Sequence, residues 1–440
     1  AYHYGMAGNA EFAALYWLSG GRRARGRSAN LEAIVQFQKA LEFLELLPNS
    51  PQRMSKELEI QLALGLCFIA VRGYSADDTR KSFEHARSLS AELGEPRKEI
   101  QATFGLWGHH WMRARHDQAL KLGGTLLAKA EQLADPLSLS VGHRVLGSTL
   151  FTLGDFARAR THLEQAVALG EQAAGEEAPL SYAVDPRIAA QLMLAWDLWV
   201  LGYPTQAQHN VFQALGRAVE GADPYSMAFA HYVTSAVQLL RGQFQDALLY
   251  ADRSLALSEE HGVNLYALYS RFGRGCALAK AGQQQQAMAE IGEGIEEARR
   301  SSLEYMRGFM LGWLAAVQAQ TGDPETALAT IDGALQQTND VSGRAWEAEL
   351  RRLRGEVLLA ARADAAHEAE RSYNDAIAIA QHQRAKSLEL RATTSLARLL
   401  QGQGRKEEAR TRLAAVFGWF TEGFDTADLM EAKELLAQLD

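Results

Sequence analysis

A chain of 440 residues is too long for one compact hydrophobic core, so several domains or one extended array is expected. Hydrophobic residues at 47% and charged residues at 22% exclude a disordered chain. A net charge of −8 gives no sign of a nucleic-acid partner, and no stretch approaches 18 uninterrupted apolar residues, which argues against a transmembrane helix.

Ala, Leu, Glu, Gln and Arg dominate, prolines number 9, and alternating β-branched runs do not occur. An all-α fold follows. In chain order, the start Ala1-Tyr2-His3-Tyr4 has no charged segment leading an apolar core and no initiator Met. It reads as a chain cut from something longer, without a signal peptide. The first predicted helix pair covers 5–42 and carries Arg22-Arg23-Ala24-Arg25-Gly26-Arg27, a basic cluster read as a solvated helix end. The second pair, 55–93, holds Cys67 among apolar neighbours. Together with Cys276 it reads as a small buried hydrophobe in a reducing compartment, so a cytoplasmic location is expected.

From the third pair, 97–134, a frame repeats: Gly, a few polar residues, then Ala five positions on. It is clearest as Gly154-Asp155-Phe156-Ala157-Arg158-Ala159, and it returns at Gly202, Gly242, Gly282, Gly322 and Gly404. Ala114 and Asp364 hold the same frame without glycine, and Gly8 to Ala13 fits near the start. From 114 the intervals are 40, 48, 40, 40, 40, 42 and 40 residues, the long one falling where Gly175-Glu176-Glu177-Ala178-Pro179 extends a loop. The glycine suits the left-handed end of one helix. Asp or Pro then opens the next, as in Gly154-Asp155 and Gly322-Asp323-Pro324. Alanines seven apart, Ala159/Ala166, Ala327/Ala334 and Ala369/Ala376, put small side chains on one face for close helix packing. The remaining pairs are expected at 136–174, 183–220, 224–261, 263–300, 303–340, 344–382 and 385–435.

The expected fold is therefore an all-α, tetratricopeptide-like helical-hairpin solenoid, a right-handed superhelix of about ten pairs with a period near 40 residues. One continuous superhelix over 1–440 is expected, with irregular repeats in 1–95, regular ones in 96–384, and a C-terminal repeat and cap in 385–440. Thr426 to Leu439 is read as that cap.

Several stretches carry a more specific likeness: Tyr16-Trp17-Leu18, Leu153-Gly154-Asp155-Phe156, Leu198-Trp199-Val200-Leu201-Gly202-Tyr203-Pro204, Trp346-Glu347-Ala348-Glu349-Leu350, and above all Trp419-Phe420-Thr421-Glu422-Gly423-Phe424-Asp425-Thr426-Ala427-Asp428-Leu429. On these residues the chain resembles the C-terminal repeat region of bacterial multidomain regulators, in which a class III adenylate/guanylate cyclase domain or another signalling module precedes a signal-transducing ATPase module and tetratricopeptide repeats follow. The resemblance implies a regulatory role in signal transduction. It carries over no cyclase or ATPase activity, because no Gly-x4-Gly-Lys-Ser/Thr motif occurs and the dipeptide Gly-Lys is absent.

Catalytic chemistry finds no footing in the residues, and neither an enzyme nor a cofactor is expected. His109, His110 and His116 with Asp117 are weighed as metal ligands and read instead as turn or groove histidines. Gly-x-Ser-x-Gly is absent, and paired carboxylates such as Glu259-Glu260 sit on polar helix faces. Trp107, Trp111, Trp196, Trp199, Trp313 and Trp346 fall on the first helix of their pairs and read mainly as core. The candidates for a binding groove on the concave face are Tyr225, His231, Tyr269, Arg271, Arg274, Tyr305, Arg307, Arg351 and Arg354. Alternating Arg and Tyr suits a peptide with acidic or C-terminal carboxylate groups. The function expected is a protein–protein interaction scaffold or regulatory sensor arm, its partner a protein, a peptide or upstream domains of the same polypeptide. The alternative is a small-molecule-sensing repeat domain controlling an attached ATPase or cyclase. No nucleic-acid or membrane partner is expected.

Overall fold

A computed structural model describes residues 9–173, 182–341 and 343–440. These form twenty-one helices and no strand. The first pairs are α1 (Ala10–Gly26) with α2 (Asn30–Glu45), α3 (Pro51–Arg72) with α4 (Asp77–Leu93), α5 (Pro96–Met112) with α6 (His116–Leu133), and α7 (Pro136–Thr152) with α8 (Phe156–Gln172). The middle pairs are α9 (Pro186–Leu201) with α10 (Pro204–Gly221), α11 (Pro224–Leu240) with α12 (Phe244–His261), and α13 (Asn264–Lys280) with α14 (Gln284–Arg300). The last are α15 (Arg307–Gln320) with α16 (Pro324–Val341), α17 (Glu347–Ala361) with α18 (Ala366–Gln383), and α19 (Lys386–Gly402) with α20 (Lys406–Phe417), followed by α21 (Ala427–Leu439). The chain is an all-α tetratricopeptide-like solenoid of helical hairpins.

The hairpin turns follow from the repeat frame. Gly154, Gly202, Gly242, Gly282, Gly322 and Gly404 all have positive φ, and Ala114 takes the same left-handed conformation at φ 53° without glycine. The alanines five positions on, Ala159, Ala207, Ala247, Ala287, Ala327 and Ala409, have no exposed surface. Gly8 and the Gly175–Pro179 extension lie outside the described residues.

Two expectations are corrected in detail. Four first helices, α3, α7, α9 and α11, begin at Ser-Pro or Asp-Pro steps, with Ser50, Asp135, Asp185 and Asp223 accepting from backbone N–H groups of the first turn. That capping starts α3 at Pro51 and α9 at Pro186, away from the predicted 55 and 183. The span 385–435 holds three helices, because Gly423 at φ 75° turns the chain before α21.

The superhelix closes on itself after five pairs. The N–H groups of Glu304 and Tyr305, ahead of α15, donate to the Met112 carbonyl at the end of α5 (2.9 and 3.3 Å). Those of Arg344 and Ala345, ahead of α17, donate to Thr152 at the end of α7 (2.9 and 3.1 Å), and that of Ala427 donates to Arg241 after α11 (3.1 Å). Side chains repeat the step: Asn264 Nδ2 donates to the Val71 carbonyl (2.9 Å), and Ser387 Oγ to that of Trp199 (2.6 Å). The last carbonyls of any helix lack a partner within it. Here they accept from the next turn of the superhelix.

This seam buries the inner face. Every residue of α9 from Ile188 to Leu201 is buried, as in a helix surrounded on all sides by protein. The C-terminal segment completes the seam. The Glu422 carboxylate accepts from the N–H groups of Thr205 and Gln206 at the start of α10 (2.9 and 3.1 Å). Arg241, itself buried, donates to the Pro204 carbonyl (2.8 Å) and pairs with Asp425 (2.7 Å).

Candidate functional site

Within one turn of the superhelix the first helices of successive pairs point their apolar stripes at the axis. Helices α5, α7, α9, α11 and α13, with the turn ahead of α15, leave an aromatic cavity of about 80 Å³ there. Trp107 stacks on Trp111 with ring centres 4.9 Å apart, and Trp111 meets Tyr305 at 4.6 Å. On the far wall Phe229 stacks on Tyr266 at 5.0 Å, and Tyr232 on Tyr269 at 5.2 Å. The indole N–H groups point away from the cavity and are satisfied: Trp107 donates to Thr149 (2.9 Å) and Trp111 to Thr152 (2.8 Å). Such locked rings form a pre-set wall.

One charge lies in this wall. Arg144 of α7 lines the cavity and is 8% exposed. Its guanidinium sits 4.9 Å from the ring centre of Phe104 and 5.4 Å from that of Trp107. Among the described residues no carboxylate lies within 4.0 Å of it, and its Nε has no hydrogen-bond partner. Asp135, the buried carboxylate at the start of the same helix, is taken by Arg97 (2.8 Å) and by the Ser138 N–H (3.0 Å). The hydroxyls around Arg144 offer no counter-charge. Burial pushes the Tyr74 phenol up to about 12 and raises those of Tyr182 and Tyr266 as well, so all three stay neutral. Burial lowers the Arg144 guanidinium itself.

A second cavity of about 300 Å³ lies nearer the C-terminus, among α13, α15, α17, α19 and α21. It is polar, and most of its charges are paired. Arg352 holds Glu349 (2.8 Å), and Arg391 holds Asp428 (2.8 Å) and donates to the Leu240 carbonyl (3.0 Å). Burial alone would raise the Glu349 carboxyl, but Arg352, Arg391 and Lys280 overcome it and hold the group at about 2. This network ties four repeats together.

The nine groove candidates are not gathered in one place. Tyr269 and Tyr305 line the aromatic cavity, and Tyr225 packs behind it against Tyr266 at 5.0 Å. His231 is buried on the other side of α11, stacked with Tyr250 of α12 at 5.8 Å. The arginines face neighbouring helices. Arg271 pairs with Glu259 (3.0 Å) and Glu293 (2.8 Å), Arg274 with Asp252 (3.0 Å) and Glu290 (2.6 Å), and Arg354 with Asp332 (2.6 Å). Arg351 lies 3.6 Å from both Glu347 and Asp375, and Arg307 pairs with Glu304 (3.0 Å). Alternating Arg and Tyr on these helices thus marks two faces, the arginines holding hairpins together and the tyrosines turned to the axis.

His109 and His116 are also structural in placement. His109 Nδ1 lies 3.0 Å from the Tyr74 carbonyl, and neither ring nitrogen of the buried His116 has a partner. Among the described residues no group of three His, Cys, Asp or Glu is arranged to hold a metal ion, and Cys67 and Cys276 are buried free thiols. No described helix is long and apolar enough to cross a membrane.

Arg144 was missed by the sequence reading, and the repeat frame gives only part of the signal for it. Ten residues before the frame position stand Phe104 and Tyr232, which line the cavity with Arg144, but Arg354 holds the same slot and pairs with Asp332 instead.

Fold and cavity together define a helical-repeat solenoid with a closed, aromatic inner face. The tetratricopeptide-repeat family model matches residues 140–165, 311–332 and 390–415, each spanning a hairpin turn. An uncharacterized protein of Rhizobium meliloti (strain 1021) is 23% identical over 406 residues, covering 91% of this chain and 39% of that protein. The chain thus spans about two fifths of the length of that relative. Among solved structures, a Rap protein complexed with competence and sporulation factor matches 97% of this chain and 99% of its own, with a TM-score of 0.53 and 10% identity. The apo quorum sensor NprR from B. thuringiensis matches 83% of this chain and 99% of its own, at TM-score 0.48 and 13% identity. A signal-transduction ATPase (STAND) protein with a tetratricopeptide-repeat sensor, from Pyrococcus horikoshii, matches 92% of this chain and 67% of its own, at TM-score 0.41 and 12% identity. At 10% identity the likeness to the Rap protein concerns the fold alone.

Proposed function

We propose that the chain is the sensor arm of a longer signalling polypeptide and recognises its ligand in the axial aromatic cavity. The observation that carries this reading is that the cavity straddles the superhelical seam. Met112 lies on one side, Tyr305 and Met306 on the other, and the Tyr305 N–H donates to the Met112 carbonyl across the seam. A ligand filling the cavity touches both turns at once. It therefore binds the closed superhelix more tightly than an opened one, and that difference in affinity is what shifts a population. Packing of the arm against attached modules then reports occupancy. The Rap protein that shares the fold was likewise solved with a factor bound to it, and the chain's partial coverage of its longer relative leaves room for attached modules.

The cavity's small volume favours a small ligand, or one buried end of a peptide, over a peptide laid along an open groove. Ala189 lines the cavity, so Ala189→Phe fills it without adding charge. Thermal melting with metabolite and peptide panels should identify ligands that stabilise the native chain, and the Ala189→Phe variant should lose that stabilisation while keeping its helical circular dichroism. Stabilisation that persists in the filled variant would place recognition elsewhere.

A further inference from the structure

We infer that the cavity binds a small organic acid, with an apolar or aromatic body held by the ring walls and a carboxylate held by Arg144. The inference rests on the axial cavity being the recognition site and adds the chemistry of what enters it.

A guanidinium buried without a counter-ion is costly, and cation–π contact with Phe104 and Trp107 offsets only part of that cost. Several other buried or half-buried arginines are matched: Arg352 by Glu349, Arg241 by Asp425, Arg391 by Asp428. Among the described residues Arg144 has no such carboxylate, and it faces the cavity. Its neighbours there are neutral phenols and indoles, which can flank an anion without repelling it. The planar fork of donors suits a carboxylate by geometry, and a low-dielectric wall strengthens the contact. The volume of about 80 Å³ is that of a compact body, so a single ring or a short branched chain fits with modest side-chain adjustment. An oligopeptide buried whole does not.

The test uses the intact chain and matched probes: benzoate and isobutyrate against the neutral benzamide and isobutyramide, followed by tryptophan fluorescence and calorimetric titration. Because Trp107 and Trp111 line the cavity, acids that enter should change the emission. At least ten-fold tighter binding of the acids than of their amides is expected in the native protein. Arg144→Met should remove that preference while the unliganded variant melts no lower than the parent. Equal binding of acids and amides, or acid preference surviving in Arg144→Met, overturns the inference and leaves the cavity as a neutral apolar site. Should neither acids nor amides bind while a peptide is captured and displaced by Ala189→Phe, the organic-acid assignment fails and the recognition site stands. The comparison of acid with amide needs no variant, so a poorly folding Arg144→Met would not rescue the inference.

Discussion

His109, His116 and His231 are imidazoles held out of water, and burial lowers each of them to about 4. For His109 the contact with the Tyr74 carbonyl works weakly the other way, as does Asp117 for His116. Unfolded, these rings titrate near 6.5, so between about 6.5 and 4 the unfolded chain binds more protons than the folded one. Their contribution to stability is therefore complete above the unfolded value and is lost as pH falls towards 4. The melting temperature should drop between pH 7 and pH 5, and His116→Leu, which removes a buried ring with no hydrogen-bond partner, should make that drop shallower. An equal slope in parent and variant would show that His116 titrates normally in the folded chain. Arg144 is the opposite case at the same scale: its charge is kept in the folded state at a cost, which makes sense where a ligand supplies the missing anion.

At the scale of the element, the hairpin was legible because its determinants are local. A left-handed residue, an alanine five positions on and another at two turns suffice to define two packed helices, and these recur within about 40 residues. The segment from Trp419 to Thr426 is different. Its residues are specific without forming a helix, and their purpose is met only by partners five repeats away: Glu422 at the start of α10, Asp425 on Arg241, Trp419 against Tyr203 at 5.7 Å. Gly423 shows how closely the segment fits. At φ 75°, a Cβ there would lie 2.1 Å from Pro204 Cγ. Gly423→Ala should cost roughly 2–4 kcal/mol, combining backbone strain with displacement of the staple. Gly404→Ala, at φ 78° with open space around it, should cost only about 1 kcal/mol. Denaturant titration of both variants distinguishes the two terms, and equal losses would mean that the contact with Pro204 contributes nothing.

At the scale of the whole molecule, five hairpins make one turn and the turn closes. The number of repeats per turn depends on small rotations accumulated from pair to pair, which no residue encodes alone. A reading of the sequence therefore expects an open concave groove with arginines and tyrosines along it, whereas the closed turn brings the tyrosines to the axis and leaves the arginines among their own hairpins. Arg144 was hidden for a related reason: a single arginine between His143 and Val145 looks like helix surface until the closed turn sets it against Phe104 and Trp107 at the axis. Closure also gives the ligand its leverage, since filling the axis and holding the seam are one event.

Amide hydrogen exchange at that seam tests the account most directly. The N–H groups of Glu304, Tyr305, Arg344, Ala345 and Ala427 all lie at helix entrances, where exchange is ordinarily fast. If the superhelix closes on itself they should be protected to the level of neighbouring helical amides, and protection at Glu304 and Tyr305 should rise further when an acid fills the cavity. Exchange at the rate of free turns, unchanged by any ligand, would mean that the turns do not hold one another and that the axial cavity does not exist in solution.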